Sequence, residues 1–134
     1  MPTPPHTSGP EPLIELLQAK IHRATVTDAQ LHYEGSITID AGLLQRAGLL
    51  PHQAVEIYNV TNGNRFKTYI IEGEAHSGII QINGAAAHLA TPGDLVIIAA
   101  YCQLPRSAAV AHQPTCIRVD ARNRPVTAPA PALA

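Results

Sequence analysis

Seven short runs rich in β-branched residues, at positions 24–26, 37–39, 55–59, 66–71, 79–82, 95–101 and 117–119, recur along the chain with turn-forming residues between them. Runs this short are too brief for an amphipathic helix to cover a core, whereas strands of this length bury one face by simple alternation. Their close, regular spacing predicts a mainly β fold, a small barrel. Asn62-Gly63, set between two alternating runs, predicts a tight hairpin, because this residue pair supplies the positive φ such turns need. Asp40, then Ala41–Ala47, then Gly48 with Pro51 beyond, has the cap, body and left-handed stop of one short helix. A second is predicted to open at Asn83 and run over 85–89, before Pro92-Gly93 turns the chain into the run at 95–101.

The chain has 134 residues, the size of a single domain with one core. Prolines at 2, 4, 5, 10 and 12 fix φ and remove donors, so residues 1–12 are expected to be a flexible tail, and the Pro/Ala-rich residues 121–134 another. The domain proper is expected over 13–120. Apolar residues make up 46% and charged residues 14%, which suits a folded chain with buried subunit faces. A net charge of −1 gives no pull toward nucleic-acid phosphates or anionic membranes. No apolar run reaches the roughly 18–20 residues a bilayer demands, and the start lacks the basic-then-apolar order of a secretory signal. The expectation is a cytoplasmic protein with no nucleic-acid or membrane partner, in which Cys102 and Cys116 stay reduced.

Residue types alone exclude more chemistry than they suggest. None of the seven histidines pairs with another His, or with Cys, at zinc-site spacing, so no metal is expected. The glycines spell neither a P-loop nor a dinucleotide fingerprint. Ser36, His22 and Asp28 lack the nucleophile elbow that would make a hydrolase triad of them. Taken alone, Gly35-Ser36 reads as a turn.

Its company changes that reading. Lys20-Ile21-His22-Arg23-Ala24 and Leu31-His32-Tyr33-Glu34-Gly35-Ser36 closely resemble the start of the bacterial pyruvoyl-dependent aspartate α-decarboxylases. Asn59-Val60-Thr61-Asn62-Gly63, Arg65 with Thr68-Tyr69, Ile82-Asn83-Gly84-Ala85-Ala86-Ala87-His88 and Pro92-Gly93-Asp94-Leu95-Val96-Ile97-Ile98 match the same family in the same order. The resemblance spans about Leu13 to Leu104, and separate blocks at fixed spacing make accidental agreement remote. It implies a six-stranded double-psi β-barrel with short helices, assembled as a homotetramer with active sites between subunits.

The resemblance also implies a chemistry. The chain cuts itself between Gly35 and Ser36, and Ser36 becomes a covalent pyruvoyl group, so that no free cofactor is needed. That ketone acts as an electron sink for the decarboxylation of L-aspartate to β-alanine, feeding pantothenate and hence coenzyme A synthesis. Thr68 is the implied oxyanion donor for self-cleavage and Asn83 a second helper, with His22 and Tyr33 lining the site. Arg65 and Lys20 are implied to hold the substrate carboxylates, with Thr68 also in the substrate site and Gly84, Ala85 and Ala86 leaving room for the substrate's approach. Tyr69 is the implied proton donor, since a phenol carries its proton at neutral pH. Glutamate is not excluded by residue type, because one methylene is worth only about 1–3 kcal/mol in a pocket. The resemblance favours aspartate. Whether a helper protein speeds maturation is left open by the sequence. The rival expectations are an unprocessed barrel serving as a small-molecule or partner-binding module and, against the charge balance, a DNA-binding regulator.

Overall fold

The computed structural model describes residues 11–127. The N-terminal tail expected over 1–12, apart from Glu11 and Pro12, lies outside the described residues, as does the C-terminal segment from 128 on. Glu11 accepts hydrogen bonds from the Ser107 backbone N–H and hydroxyl, 2.9 and 2.7 Å.

Among the described residues, nine strands and two short α-helices form in the order β1 (Leu13–Thr25), β2 (Asp28–Gln30), β3 (Ser36–Asp40), α1 (Ala41–Ala47), β4 (Ala54–Asn59), β5 (Arg65–Gly73), β6 (Ile80–Asn83), β7 (Leu95–Pro105), α2 (Arg106–Ala109), β8 (Thr115–Val119) and β9 (Pro125–Val126). A 3-10 turn, Gly84–His88, stands where the sequence predicts a second helix. β1 is far longer than the run at 24–26 suggests. Its pairing with β7 slips between Leu17 and Ala19 and again between Ile21 and Ala24, where Arg23 has φ 62°. Each bulge resets the inside-outside alternation, which hides the strand from a period-two reading.

The hydrogen-bonded order is β2-β6-β3-β5-β4-β7-β1-β8-β9. Because β2 continues β1 after only Val26 and Thr27, one stretch of chain pairs with β7 along its first part and with β6 along its last. Val26 N–H donates to Asp94 O and Thr27 N–H to Ile80 O at the crossing, so the order returns on itself as a ring of six. β3–β5 and β2–β6 are parallel among antiparallel neighbours. This mixed connectivity is the mainly β, double-psi architecture that the sequence implies. Inside the ring, Ile37 lies opposite both Ile70 and Ile82, and Ile98 opposite both Ile21 and Ile57. All of these are fully buried. β-Branched side chains fill such an interior because they pack well on a pleated surface.

α1 spans the residues its caps define. Asp40 Oδ1 accepts from Gly42 N–H at 2.7 Å, and Gly48 closes the helix at φ 73°. The Asn62-Gly63 hairpin joins β4 and β5 but is wider than a two-residue turn. Only Gly63 of the pair takes positive φ, and the Asn59 side chain fastens the loop by accepting from the Thr61 and Asn62 N–H groups. α2, one turn long, had no cap signal to announce it.

Residues 121–127, assigned to the C-terminal tail by the sequence, pack onto the barrel. Asn123 is buried, accepts from Thr25 N–H at 2.7 Å and donates to Thr25 O and Gly78 O at 2.8 Å each. β9 then pairs with β8. Among the described residues no helix is long and apolar enough to cross a membrane.

Candidate active site

Alternation along β3 sends Ile37 and Ile39 into the core and Ser36 and Thr38 to the opposite face. The antiparallel partner β6 does the same with Ile80 and Ile82 against Gln81 and Asn83. The register places Ser36 opposite Asn83 and Thr38 opposite Gln81. Four polar side chains therefore meet on one face. Asn83 Nδ2 donates to Ser36 Oγ at 3.0 Å and to Thr38 Oγ1 at 3.1 Å, while Gln81 Nε2 donates to Asn83 Oδ1 at 2.7 Å. Ser36 Oγ donates to Glu34 O at 3.2 Å.

Although outside the barrel core, the Ser36–Asn83 pair is buried, Ser36 1% exposed and Asn83 0%, with Thr38 and Gln81 half-buried beside it. The segment leading to Ser36 lies close to the 3-10 turn. Gly84 has φ 73°, and a Cβ there would stand 2.6 Å from Gly35 Cα and 2.8 Å from Tyr33 O. Glycine is required twice over, by the left-handed backbone and by the close approach. Gly35 and Tyr33 are exposed, Tyr33 at 62%. The Gly35-Ser36 bond thus runs from solvent into a buried, hydrogen-bonded hydroxyl.

The sequence-predicted residues divide into those gathered at Ser36 and those elsewhere on the barrel. Gly35, Ser36, Asn83, Gly84 and the Tyr33 backbone are together. Tyr69 precedes the Ile37–Ile70 pair on β5, next to β3, and by alternation shares Ser36's face. Thr68, half-buried opposite Val55, falls on the face of Ile70. The side chain bonded to Ser36 is Asn83, not Thr68. Ala85 and Ala86 follow in the 3-10 turn, Ala85 exposed and Ala86 against the core.

Lys20 and His22 lie on β1, paired with β7 and β8 instead of β3. His22 is 8% exposed, and its Nδ1 is buried without a hydrogen-bond partner among the described residues. Burial, then the charges of Lys20, Arg118 and Arg23, pushes its pKa below the ordinary 6.5. With Arg23 and Arg118 it lines an open cleft of about 400 Å³. Arg65 begins β5, its guanidinium 4.3 Å over the Tyr58 ring. Tyr58 shares a 2.7 Å hydrogen bond with Tyr101, and burial together with that bond pushes the Tyr58 phenol up to about 12. Among the described residues no group of three or more His, Cys, Asp or Glu side chains is placed to hold a metal ion.

Gln81 and Thr38 belong to the cluster yet were not singled out by the sequence reading. The signal was present: each stands two residues from a predicted site residue on the same strand, and so on the same face.

The sequence pattern of the family described as aspartate decarboxylase matches residues 13–126, from the start of β1 to the end of β9. The chain belongs to the aspartate decarboxylase family. It is 54% identical over 113 residues to the aspartate 1-decarboxylase of Syntrophotalea carbinolica, covering 84% of this chain and 86% of that one. It is also 54% identical to that of Thioalkalivibrio sulfidiphilus, covering 84% and 89%. To that of Legionella pneumophila it is 56% identical, covering 82% and 83%. Among solved structures, a rationally designed protein, 16% identical, aligns over 57% of this chain and 90% of its own with a TM-score of 0.43.

Proposed function

We propose that the chain is a self-processing decarboxylase that converts L-aspartate to β-alanine and CO₂, supplying pantothenate synthesis. Family membership supports the reaction. The single structural observation that carries the reading is the Ser36 hydroxyl, buried and held by Asn83, immediately after an exposed glycine. A serine fits conversion to a pyruvoyl group there, because its hydroxyl oxygen is fixed beside the bond to be cut.

In self-cleavage, Ser36 Oγ attacks the Gly35 carbonyl carbon; the C–N bond breaks as the ester C–O bond forms. A serine hydroxyl is a weak nucleophile, so enforced proximity must supply much of the barrier reduction. The hydroxyl gives up its proton to the released nitrogen. The roles of hydrogen-bond donor to the developing oxyanion fall to Asn83 and Thr68. Loss of the residue-36 α proton then expels the Gly35 carboxylate and leaves dehydroalanine, which water converts to the ketone with release of ammonia. The products are residues 1–35 and a longer chain beginning at 36.

The pyruvoyl ketone supplies the electron withdrawal that lets CO₂ leave the bound amino acid. The other roles fall to side chains. Arg65, its fork already stacked on Tyr58, grips a substrate carboxylate, and Lys20 adds a second positive charge. Gly84, Ala85 and Ala86 let backbone groups close on the substrate. Tyr69 returns a proton to the carbon that lost CO₂. Tyr33 and His22 line the site. In one chain Lys20, His22 and Arg65 stand on strands other than β3 and β6, which supports a homotetramer with its sites between subunits. Exposed Leu31, Leu50 and Ile71 give such an assembly apolar surface to cover.

Purified, incubated protein given L-aspartate should release β-alanine and CO₂ in equal amounts, and do so far faster than with L-glutamate. Fully cleaved protein that releases neither product from aspartate would overturn the proposal.

A further inference from the structure

The cluster holds two polar side chains to which the proposed reaction gives no work, Thr38 and Gln81, and Gln81 is the one that bonds the Asn83 oxygen. Gln81 is half-buried on β6, opposite Thr38, and its amide N–H donates to Asn83 Oδ1 at 2.7 Å. We infer that Gln81 is a positioning residue for self-cleavage, which locks the Asn83 amide with its NH₂ toward Ser36. The inference rests on the self-processing reading of Ser36.

The orientation follows from proton accounting. Glu34 O can only accept, so the Ser36 hydroxyl proton is committed to it. Ser36 Oγ is left as an acceptor and needs a donor from Asn83, which its NH₂ supplies. An Asn amide is nearly symmetric in shape and turns over at little steric cost, so something must distinguish its two ends. While Gln81 presents its NH₂, the 2.7 Å bond does so, because only Oδ1 can accept it. With that bond gone, the flipped amide gains an alternative: its oxygen can accept from the Thr38 hydroxyl, and Ser36 loses its donor. An incorrectly turned group one bond from the nucleophile matters, since misplacements of about 1 Å can cost 10²-fold in rate.

Reversing the direction of the hydrogen bond tests this with little change of shape. Gln81→Glu, ionised, can only accept, so it pulls the Asn83 NH₂ toward position 81 and away from Ser36. Cleavage of the purified chain, followed by fragment appearance, should slow about 10–100-fold at pH 7. It should then recover toward the wild-type rate as the pH falls toward about 4.3, where the introduced carboxyl regains a donor proton. Gln81→Leu should be slow at both pH values. A merely structural role would give no recovery on acidification, because the carboxyl would repair nothing specific. Wild-type cleavage rates in both variants, or a slow Gln81→Glu that acid does not rescue, would overturn the inference. Asn83→Ala, run beside them, separates the two levels: if it cleaves at the wild-type rate, the role given to Asn83 fails; if it alone is slow, only the role of Gln81 fails.

Discussion

Asn83 and Ser36, separated by 47 residues in the chain, face each other across β6 and β3, and the Asn83 amide donates to the Ser36 hydroxyl at 3.0 Å. The same amide also bonds Thr38, so one side chain ties two positions of β3. Asn83→Ala should leave buried hydroxyls and the Gln81 donor unsatisfied, each worth about 1–3 kcal/mol. Self-cleavage should slow by at least about tenfold. Thermal unfolding and a cleavage time course read the two effects separately.

Gly84 lies against the scissile segment. Gly84→Ala would force a side chain into φ 73° and place its Cβ against Gly35 backbone. The strained backbone costs about 1–3 kcal/mol, and the contact displaces residues 33–35 from the hydroxyl. The variant should melt lower and accumulate as uncut chain. Normal cleavage in a stable Gly84→Ala protein would show that the close approach is incidental.

Tyr69 shares the face of Ser36 but makes no bond to it, which separates maturation from turnover. Tyr69→Phe should cut itself normally and lose about 10²–10⁴-fold in β-alanine formation, as expected for a missing proton donor. Full activity in that variant would remove Tyr69 from the reaction.

Asp40 carries the junction between β3 and α1. Its carboxylate accepts from the N–H groups of Gly42, His76 and Gly78. Burial works to raise its pKa, but those three N–H bonds outweigh it and hold the carboxyl below the ordinary 3.8. Since the folded value is the lower one, the unfolded chain takes up the proton first as pH falls. The stabilisation is complete well above 3.8 and fades as pH drops through the folded value. Asp40→Asn should cost about 1–3 kcal/mol near neutral pH, and its deficit against wild type should shrink below that point. Denaturant unfolding at several pH values measures it; a deficit constant down to the acid limit would contradict the assignment.

How much of this could be read from the chain depends on how local the cause is. α1 was legible because Asp40, Gly48 and the residues between them are contiguous and each end signals itself. β1 was mostly hidden, since two bulges break the period on which a strand is recognised. The hairpin's place was legible but not its width, which the Asn59 side chain sets. At the site, Ser36 and Asn83 were named through resemblance, but their contact is a matter of strand register, which residue types do not encode locally. Gln81 and Thr38 were legible by alternation, each two residues from a named residue on its own strand, but the resemblance does not name them. Lys20, His22 and Arg65 were named through it, and the folded chain spreads them over other strands.

Intact-mass measurement of purified wild-type protein beside Ser36→Ala is the most direct test of the central claim. The account predicts two wild-type species, residues 1–35 and a longer fragment lighter by one ammonia than the same fragment starting with serine, with Ser36→Ala remaining one uncut, inactive chain. Full decarboxylation by a chain that is uncut, or whose long fragment still begins with unaltered serine, would contradict it.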